Sequence, residues 1–254
     1  MATEQKKGFT QADIMTLLDT LYQKVLAGVP KVSVPVSTMA LDYMSKHSTK
    51  EVAAKAMLKN QVIKCATSGF LTGFGGIVTL PVAIPANISS VLYVQMRMIA
   101  CTAYMAGYDL HSDQVQTFVY ACLAGVSVNL LVKRFGVKFG VKIAEGLAKK
   151  IPGRVLTAIN QKVGFRLLTK MGSKGLINIG KLVPGVGAFI GGGLDYAETK
   201  IIAARAYKWF IEGDFSDNRE SAPLDTIEVD FTVNNSPQDT DTEENTSEKE
   251  QVHT

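Results

Sequence analysis

One run in this 254-residue sequence has the residue types of a phosphate-binding loop. The stretch from Gly175 to Lys181, GLINIGK, matches the first seven positions of a Walker A motif, but Leu182 stands where Ser or Thr must reach Mg²⁺. No strand pattern precedes it, as that loop requires. A glycine break between packed helices explains the run more simply, so nucleotide binding is not predicted here.

The three histidines, His47, His111 and His253, are too scattered for an HExxH motif or a two-histidine metal site. His111 stands between Asp109 and Asp113 in a polar stretch. Turn and cap interactions are the main expectation for this stretch, and a metal or proton-transfer site is the alternative. The sequence therefore predicts no metal site and no cofactor.

The three cysteines, Cys65, Cys101 and Cys122, show no CxxC motif or other close pairing. Cys101 and Cys122 fall on apolar helical faces, which favours inert buried thiols in a reducing compartment. The serines lack a GxSxG elbow. No catalytic residue is predicted, and a non-enzymatic role is favoured over an enzyme whose site no motif reveals.

The formal net charge of +4 is the sum of two unlike parts. Residues 1–210 contain 25 Lys and Arg against 10 acidic residues, a net charge of +15. Residues 211–254 contain 13 acidic residues against Arg219 and Lys249, a net charge of −11. This asymmetry predicts an anionic partner for the basic body, which could be lipid headgroups, nucleic acid or the chain's own tail.

The basic charge is concentrated between Lys133 and Lys181, where twelve Lys and Arg face a single acid, Glu145. An anionic lipid surface or a membrane protein is the favoured partner. Nucleic acid is disfavoured, because the stretch offers few aromatic platforms and no recognisable reading helix. The residues predicted to contact an anionic surface are Lys133, Arg134, Lys138, Lys142, Lys149, Lys150 and Arg154.

Helices must position any such surface, because the apolar residues of the body recur at spacings of three and four. One helix is predicted between the possible cap Thr10 and Gly28. Another follows Ser48, which has capping-box spacing to Glu51, and a third is capped by Ser112. No alternating run of β-branched residues appears before residue 226, so an all-α fold is predicted. Further helices are expected near residues 86–104, 137–150, 154–170 and 194–210.

The 32 residues from Cys65 to Met96 carry no charge. This run is longer than the roughly 20 residues that cross a bilayer, but glycines and prolines interrupt it. Three interpretations stay open: a glycine-rich helix crossing inside a soluble bundle, a membrane-inserted hairpin, or an element lying at the bilayer surface. Arg97, which follows the run, is expected to pair with Asp109 or Asp113, with an anionic headgroup as the alternative partner.

A second uncharged, glycine-rich stretch runs from Leu182 to Leu194 and is too short to span a bilayer alone. Small residues four apart, as at Gly187 and Gly191, let two helices approach closely. The two stretches predict glycine-rich helical hairpins that contact a membrane or a partner. The residues assigned to that contact are Gly69, Gly73, Gly75, Gly76, Pro81, Pro85, Pro184, Gly187 and Gly191.

Two sets of motifs stand out between residues 50 and 212. The first comprises SGFLTGFGG at 68–76, Leu80-Pro81, Ile84-Pro85, Arg97 and Gly107-Tyr108-Asp109. The second comprises Ser173-Lys174-Gly175, KLVPGVGA at 181–188, Gly191-Gly192-Gly193 and Trp209-Phe210. In combination they resemble the bacterial EcsC protein family. Many members carry an acid between the two prolines of the first set, whereas this chain has Val82-Ala83-Ile84 there, so no role of that acid transfers.

The resemblance implies a bacterial helical protein that is cytoplasmic or faces the inner side of the cytoplasmic membrane, and it supplies no reaction. It divides the chain into an N-terminal helical segment at 1–48, an EcsC-like helical domain at 49–212 and an acidic tail at 213–254. From Asn234 onward the tail has almost no apolar residues, so disorder is predicted there. Residues 227–233 alternate with a period of two, which predicts a short strand along the domain or a motif that pairs with a partner's sheet.

The functional hypothesis is a membrane-associated helical protein that acts through its glycine-rich hairpins and basic stretch. The alternative is a soluble helical adaptor that binds a protein partner through its basic face or acidic tail. The tail is also expected to contact the basic body transiently, because the two carry opposite charge.

Overall fold

The structure, a computed structural model, describes residues 10–66, 86–136, 151–177 and 187–216. Within these ranges the chain forms one all-α domain, as predicted, and the only β pairing is an isolated bridge between Val29 and Ser33. A π-helical turn, Tyr207–Ile211, follows the last helix. The helices are α1 Gln11–Ala27, α2 Val36–Lys46, α3 Lys50–Ala66, α4 Ala86–Met105, α5 Asp113–Ala124, α6 Val128–Arg134, α7 Gly153–Ile177 and α8 Gly187–Ala206.

Helix α4 lies at the centre of the domain and contacts α1, α2, α3, α5 and α8. Its side chains from Ser89 to Ala103 are almost all buried, so it has no broad polar face. Polar groups within it find internal partners: Gln95 donates to the Thr199 hydroxyl of α8 at 3.0 Å, and the Thr102 hydroxyl donates to the Met98 carbonyl. Burial from all sides explains why this helix carries no charge up to Met96.

The first helices begin and end where local side chains satisfy the backbone. Thr10 and Asp13 form a reciprocal capping box, so the predicted cap of α1 is confirmed. The predicted cap Ser48 is wrong by one residue, because the Thr49 hydroxyl accepts from the Val52 N–H at the start of α3. Ser112 caps α5 as predicted, accepting from the Val115 N–H.

Arg97 is buried in the centre of the domain, with only 6% of its surface exposed. Its predicted pairing with Asp109 or Asp113 is wrong. The guanidinium instead donates to the Val34 carbonyl in the loop before α2 and to the Met39 sulfur at 3.3 Å. Arg97 therefore ties the α1–α2 connection to the central helix.

An aromatic cluster closes the end of the domain. Trp209 and Phe210 in the π-helical turn are buried, and Phe215 packs against both, with ring centroids 5.2 Å and 5.9 Å apart. The Lys208 ammonium lies 3.4 Å from the Asp214 carboxylate in the same connection. Packing of the body thus continues through Phe215, two residues beyond the start of the acidic tail at residue 213 defined from the sequence.

The connection between α1 and α2 depends on a glycine. Gly28 has φ +77°, and a Cβ there would lie 2.6 Å from the Ser33 carbonyl oxygen and 2.8 Å from the Pro35 nitrogen. Gly107, after α4, has φ +87° but no heavy atom within 4 Å of such a Cβ. Substitutions at the two sites therefore distinguish the energetic cost of a side chain at positive φ from the energetic cost of a clash with backbone atoms.

We predict that Gly28→Ala lowers the free energy of unfolding by at least about 2 kcal/mol more than Gly107→Ala does. The Gly107 variant loses only the roughly 1–2 kcal/mol of an L-residue at positive φ, whereas the Gly28 variant must also move backbone atoms. Urea unfolding of the two variants, followed by circular dichroism, measures the difference. If the two variants lose the same free energy of unfolding, the α1–α2 connection can shift to accommodate the new Cβ at no energetic cost.

Candidate anionic-surface site

Three of the seven basic residues predicted to contact an anionic surface lie in the described ranges, and all three are exposed. Lys133 and Arg134 form the last turn of α6, where positive charge is favourable beside the helix C-terminus. Arg154 lies in the first turn of α7. Lys138, Lys142, Lys149 and Lys150 lie outside the described residues.

Two further cations, Lys162 and Arg166, lie on α7. Lys162 and Arg166 are four residues apart and thus neighbours on one helical face, at the edge of the side that is buried through Val155, Ile159, Val163 and Leu167. Burial, together with Arg134 and Arg166, lowers the pKa of Lys162 below its ordinary value. Burial and Arg205 of α8 lower the pKa of Arg166. We call Arg134, Lys162, Arg166 and Arg205 the cationic row.

Arg205 is held in the row by the end of α5. Its Nη1 donates to the Cys122 carbonyl at 2.9 Å, so the guanidinium satisfies a C-terminal carbonyl of that helix. Gly125 ends α5 at φ +71°, and a Cβ there would make ordinary van der Waals contact with the guanidinium at 3.4 Å. The position of Arg205 is therefore fixed by backbone geometry.

The same face of α7 continues to Lys170, four residues after Arg166. Lys170 forms an ion pair with Glu198 of α8, and both side chains are partly buried. Arg166 differs, since its guanidinium makes no hydrogen bond and no ion pair with any residue that the structure describes. On this face of α7, Lys170 is thus neutralised by Glu198, whereas Arg166 has no hydrogen-bond or ion-pair partner among the described residues.

Large apolar side chains lie exposed beside the row. Phe165, between Lys162 and Arg166 in sequence, is 61% exposed, and Phe135, directly after Arg134, is 37% exposed. Leu130, one turn earlier on α6, is also exposed. Aromatic rings next to basic groups are typical of surfaces that enter the headgroup region of a bilayer. We call the cationic row with Lys133, Leu130, Phe135 and Phe165 the cationic face.

A second group of exposed apolar residues lies on α2 and α3 and comprises Leu41, Met44, Val52 and Ile63. Charges beside it on α2 are balanced, because Lys46 and Asp42 form an ion pair at 3.0 Å. On α3, by contrast, the single acid Glu51 stands against four lysines, Lys50, Lys55, Lys59 and Lys64.

The polar stretch around His111 behaves as a turn. The His111 N–H donates to the Asp109 carboxylate at 2.9 Å, and the Ser112 hydroxyl donates to the Asp109 carbonyl. His111 and Asp109 also line a cleft of about 340 Å³, with Gln23 and Ser37 on the opposite helices. No group of three metal-ligating side chains occurs in the parts of the chain that the structure describes.

All three cysteines are buried. Burial raises the pKa of the Cys101 and Cys122 thiols to about 12, although Arg97 and Arg205 act in the opposite direction. Because the thiolate is the nucleophile, neither sulfur is suited to covalent catalysis at neutral pH.

The predicted glycine-rich hairpins fall largely outside the described residues. That holds for Gly69, Gly73, Gly75, Gly76, Pro81, Pro85 and Pro184. Gly187 and Gly191 lie in the first turns of α8. Residues 89–96, the end of the 32-residue uncharged run, belong to the buried centre of α4. None of the helices in the described ranges combines the length and apolar character needed to cross a bilayer.

Sequence reasoning missed three of the five cations of the cationic face, Lys162, Arg166 and Arg205. The spacing of Lys162 and Arg166 could have placed them together on one side of α7. No pattern in the sequence indicated that Arg205 belongs to this face, because its position relative to Arg166 depends on how α8 packs against the other helices.

Comparisons of the chain with protein-family models, with curated proteins and with solved structures give no match.

We predict that Arg166→Met raises the pKa of Lys162, because the substitution removes a neighbouring positive charge and keeps most of the apolar stem. Arg154→Met is the matched control, since Arg154 is not among the charges that lower the pKa of Lys162. NMR titration of the Lys162 side chain measures both. An unchanged pKa in the Arg166 variant would mean that the two cations do not interact.

Proposed function

We propose that the protein attaches peripherally to an anionic membrane surface through the cationic face. The observation that carries this proposal is the convergence of mutually repelling cations on α6, α7 and α8 beside exposed aromatic rings. The motif resemblance to the EcsC family adds support for the inner face of the cytoplasmic membrane as the site of attachment. No catalytic role is proposed.

Two energetic contributions favour attachment. Each Lys or Arg near an anionic leaflet contributes about 1 kcal/mol, and this contribution is weakened by salt. Insertion of Phe135 and Phe165 adds an apolar contribution that salt does not screen. Together the two contributions predict binding that decreases with salt but is not abolished.

A second candidate function is that of an adaptor for a protein partner. The observation that favours it is the set of exposed apolar residues on α2 and α3, helices that contribute nothing to the cationic face. An adaptor using that surface would bind independently of lipid composition, so the two functions can be separated.

We predict that the double substitution Lys133→Gln, Arg134→Gln weakens binding to vesicles of phosphatidylcholine with 30% phosphatidylglycerol by about 25-fold at low salt, about fivefold per charge. Phe165→Ser weakens binding about tenfold, and this loss persists at high salt. Lys50→Gln, an exposed cation at the start of α3, is the control and changes binding little. Vesicle cosedimentation measures all three.

Fractionation of the native protein is the matching test in cells. Release by high salt supports peripheral attachment, and release only by detergent would indicate insertion. Recovery in the soluble fraction at low salt would overturn the membrane proposal and leave the adaptor function.

The acidic C-terminal segment is proposed to compete with lipid for the cationic face. Residues 217–254 contain 11 acidic residues against Arg219 and Lys249. A random coil of 38 residues has a root-mean-square span of about 35 Å, which is comparable to the width of a small domain. Truncation after Ser216 removes the segment and leaves the buried Phe215 in place.

We predict that this truncation strengthens vesicle binding several-fold at low salt and has no effect at 0.5 M salt, where charges are screened within about 4 Å. A full-length variant with the acids of residues 217–254 changed to Gln and Asn should bind like the truncated one. If only the truncated chain binds more tightly, charge is not the cause.

A further inference from the structure

The cleft of about 340 Å³ is built from three parts of the chain. The end of α1 contributes Gln23 and Leu26, the start of α2 contributes Val36 and Ser37, and the α4–α5 connection contributes residues 108–111. A volume of this size lies at the lower end of the range of small-molecule pockets, roughly 300–1,000 Å³. None of the lining residues belongs to the cationic face, so the cleft is a separate feature of the domain.

The wall formed by the α4–α5 connection is fixed by its own backbone hydrogen bonds. The N–H groups of Gly107 and Tyr108 donate to carbonyls in the last turn of α4 at 2.9 Å and 3.0 Å, and Gly107 has φ +87°, which together make a Schellman motif. The Asp109 carboxylate then accepts from the His111 N–H at 2.9 Å. The backbone that carries Tyr108 and Asp109 is therefore set by the fold and needs no ligand to shape it.

The walls formed by α1 and α2 are tied to the rest of the cleft by buried side chains. The Tyr22 hydroxyl of α1 donates to the Leu110 carbonyl of the α4–α5 connection at 2.7 Å. Arg97 of α4 donates to the Val34 carbonyl, just before α2. Both of these donors are buried, so the bonds are shielded from water. The cleft is thus preformed, as ligand sites usually are.

The lining residues combine one negative charge with aromatic and aliphatic side chains. Asp109 is the only acid among them, no Lys or Arg lines the cleft, and the Asp109 carboxylate forms no ion pair with any residue that the structure describes. Tyr104 is half-buried and adds an aromatic ring, a group that attracts cations over its face. Leu26 and Val36 add aliphatic surface. This combination favours a ligand with a positively charged part and an apolar part.

We infer that the cleft binds a small organic ammonium ion with an apolar substituent, with Asp109 as the counter-ion and Tyr104 as the aromatic contact. This inference goes beyond membrane attachment, because it uses no residue of the cationic face. A neutral apolar molecule would use the same aliphatic surface but would leave the carboxylate without a counter-ion. An anion would be repelled by Asp109.

The test titrates the full-length protein with three probes that share a phenyl ring on a short chain and differ in charge. They are phenethylamine, 2-phenylethanol and 3-phenylpropionate, and NMR of the Tyr104 ring near neutral pH detects binding. Phenethylamine is expected to bind about tenfold more tightly than 2-phenylethanol, because a hydrogen bond between an ammonium and a carboxylate is stronger than one to a hydroxyl. The carboxylate probe should bind most weakly.

Asp109→Asn removes the charge and keeps an oxygen that can accept from the His111 N–H, so it should make phenethylamine and 2-phenylethanol bind equally. Asp113→Asn is the matched control, because Asp113 is exposed and does not line the cleft, and it should keep the preference. Tyr104→Leu should weaken phenethylamine binding about two- to fivefold. Circular dichroism of each variant confirms that it is folded.

Equal affinity for the three probes, or a preference that persists in the Asp109 variant, would overturn the inference. Absence of any shift at Tyr104 at millimolar phenethylamine would overturn it as well. Vesicle binding of the Asp109 variant is measured in parallel and should match that of the unmodified protein. Loss of amine selectivity with intact vesicle binding would therefore leave peripheral attachment standing, whereas amine binding without vesicle binding would overturn only the membrane proposal.

Discussion

The fold depends on how one buried positive charge is satisfied. Arg97 lies at the middle of the central helix, and a charge in an apolar interior is costly unless polar groups surround it. Here the partners are the Val34 carbonyl, the Met39 sulfur and the Tyr93 hydroxyl, 3.4 Å away. Ser33 extends this set, because its hydroxyl lies 2.7 Å from that of Tyr93. Satisfying Arg97 therefore requires the loop between α1 and α2 to fold over α4, which places both helices.

The cationic face presents the opposite situation, because it places like charges side by side. Along α7, Val155, Ile159, Val163 and Leu167 are buried against the domain, and this apolar side stabilises a helix that carries like charges along its edge. Repulsion between neighbours such as Lys162 and Arg166 costs a few tenths of a kcal/mol, which such burial easily exceeds. The folded domain therefore tolerates the repulsion between these cations. A bound anionic surface would lower the energy of that repulsion.

Which features could be predicted from the sequence depends on how far apart in the chain the interacting residues lie. The all-α class and the caps Thr10 and Ser112 were predictable, because helical periodicity and capping depend on residues within one or two turns. The partner of Arg97 was not, since a main-chain carbonyl 63 residues away carries no side-chain signal. Of the cationic face, the α6 cations Lys133 and Arg134 were proposed from charge density alone. Arg205 was missed because its position is set by the end of another helix.

The buried thiols have a practical consequence. Alkylating reagents attack the thiolate, so Cys101 and Cys122 should stay inert at neutral pH while the protein is folded, and Cys65 has only 1% of its surface exposed. A cysteine placed on any outward-facing helix position would then be the single reactive sulfur, with no need to remove the native ones. The wild-type background is therefore ready for site-specific fluorophores and spin labels, which could report orientation and depth at an interface residue by residue.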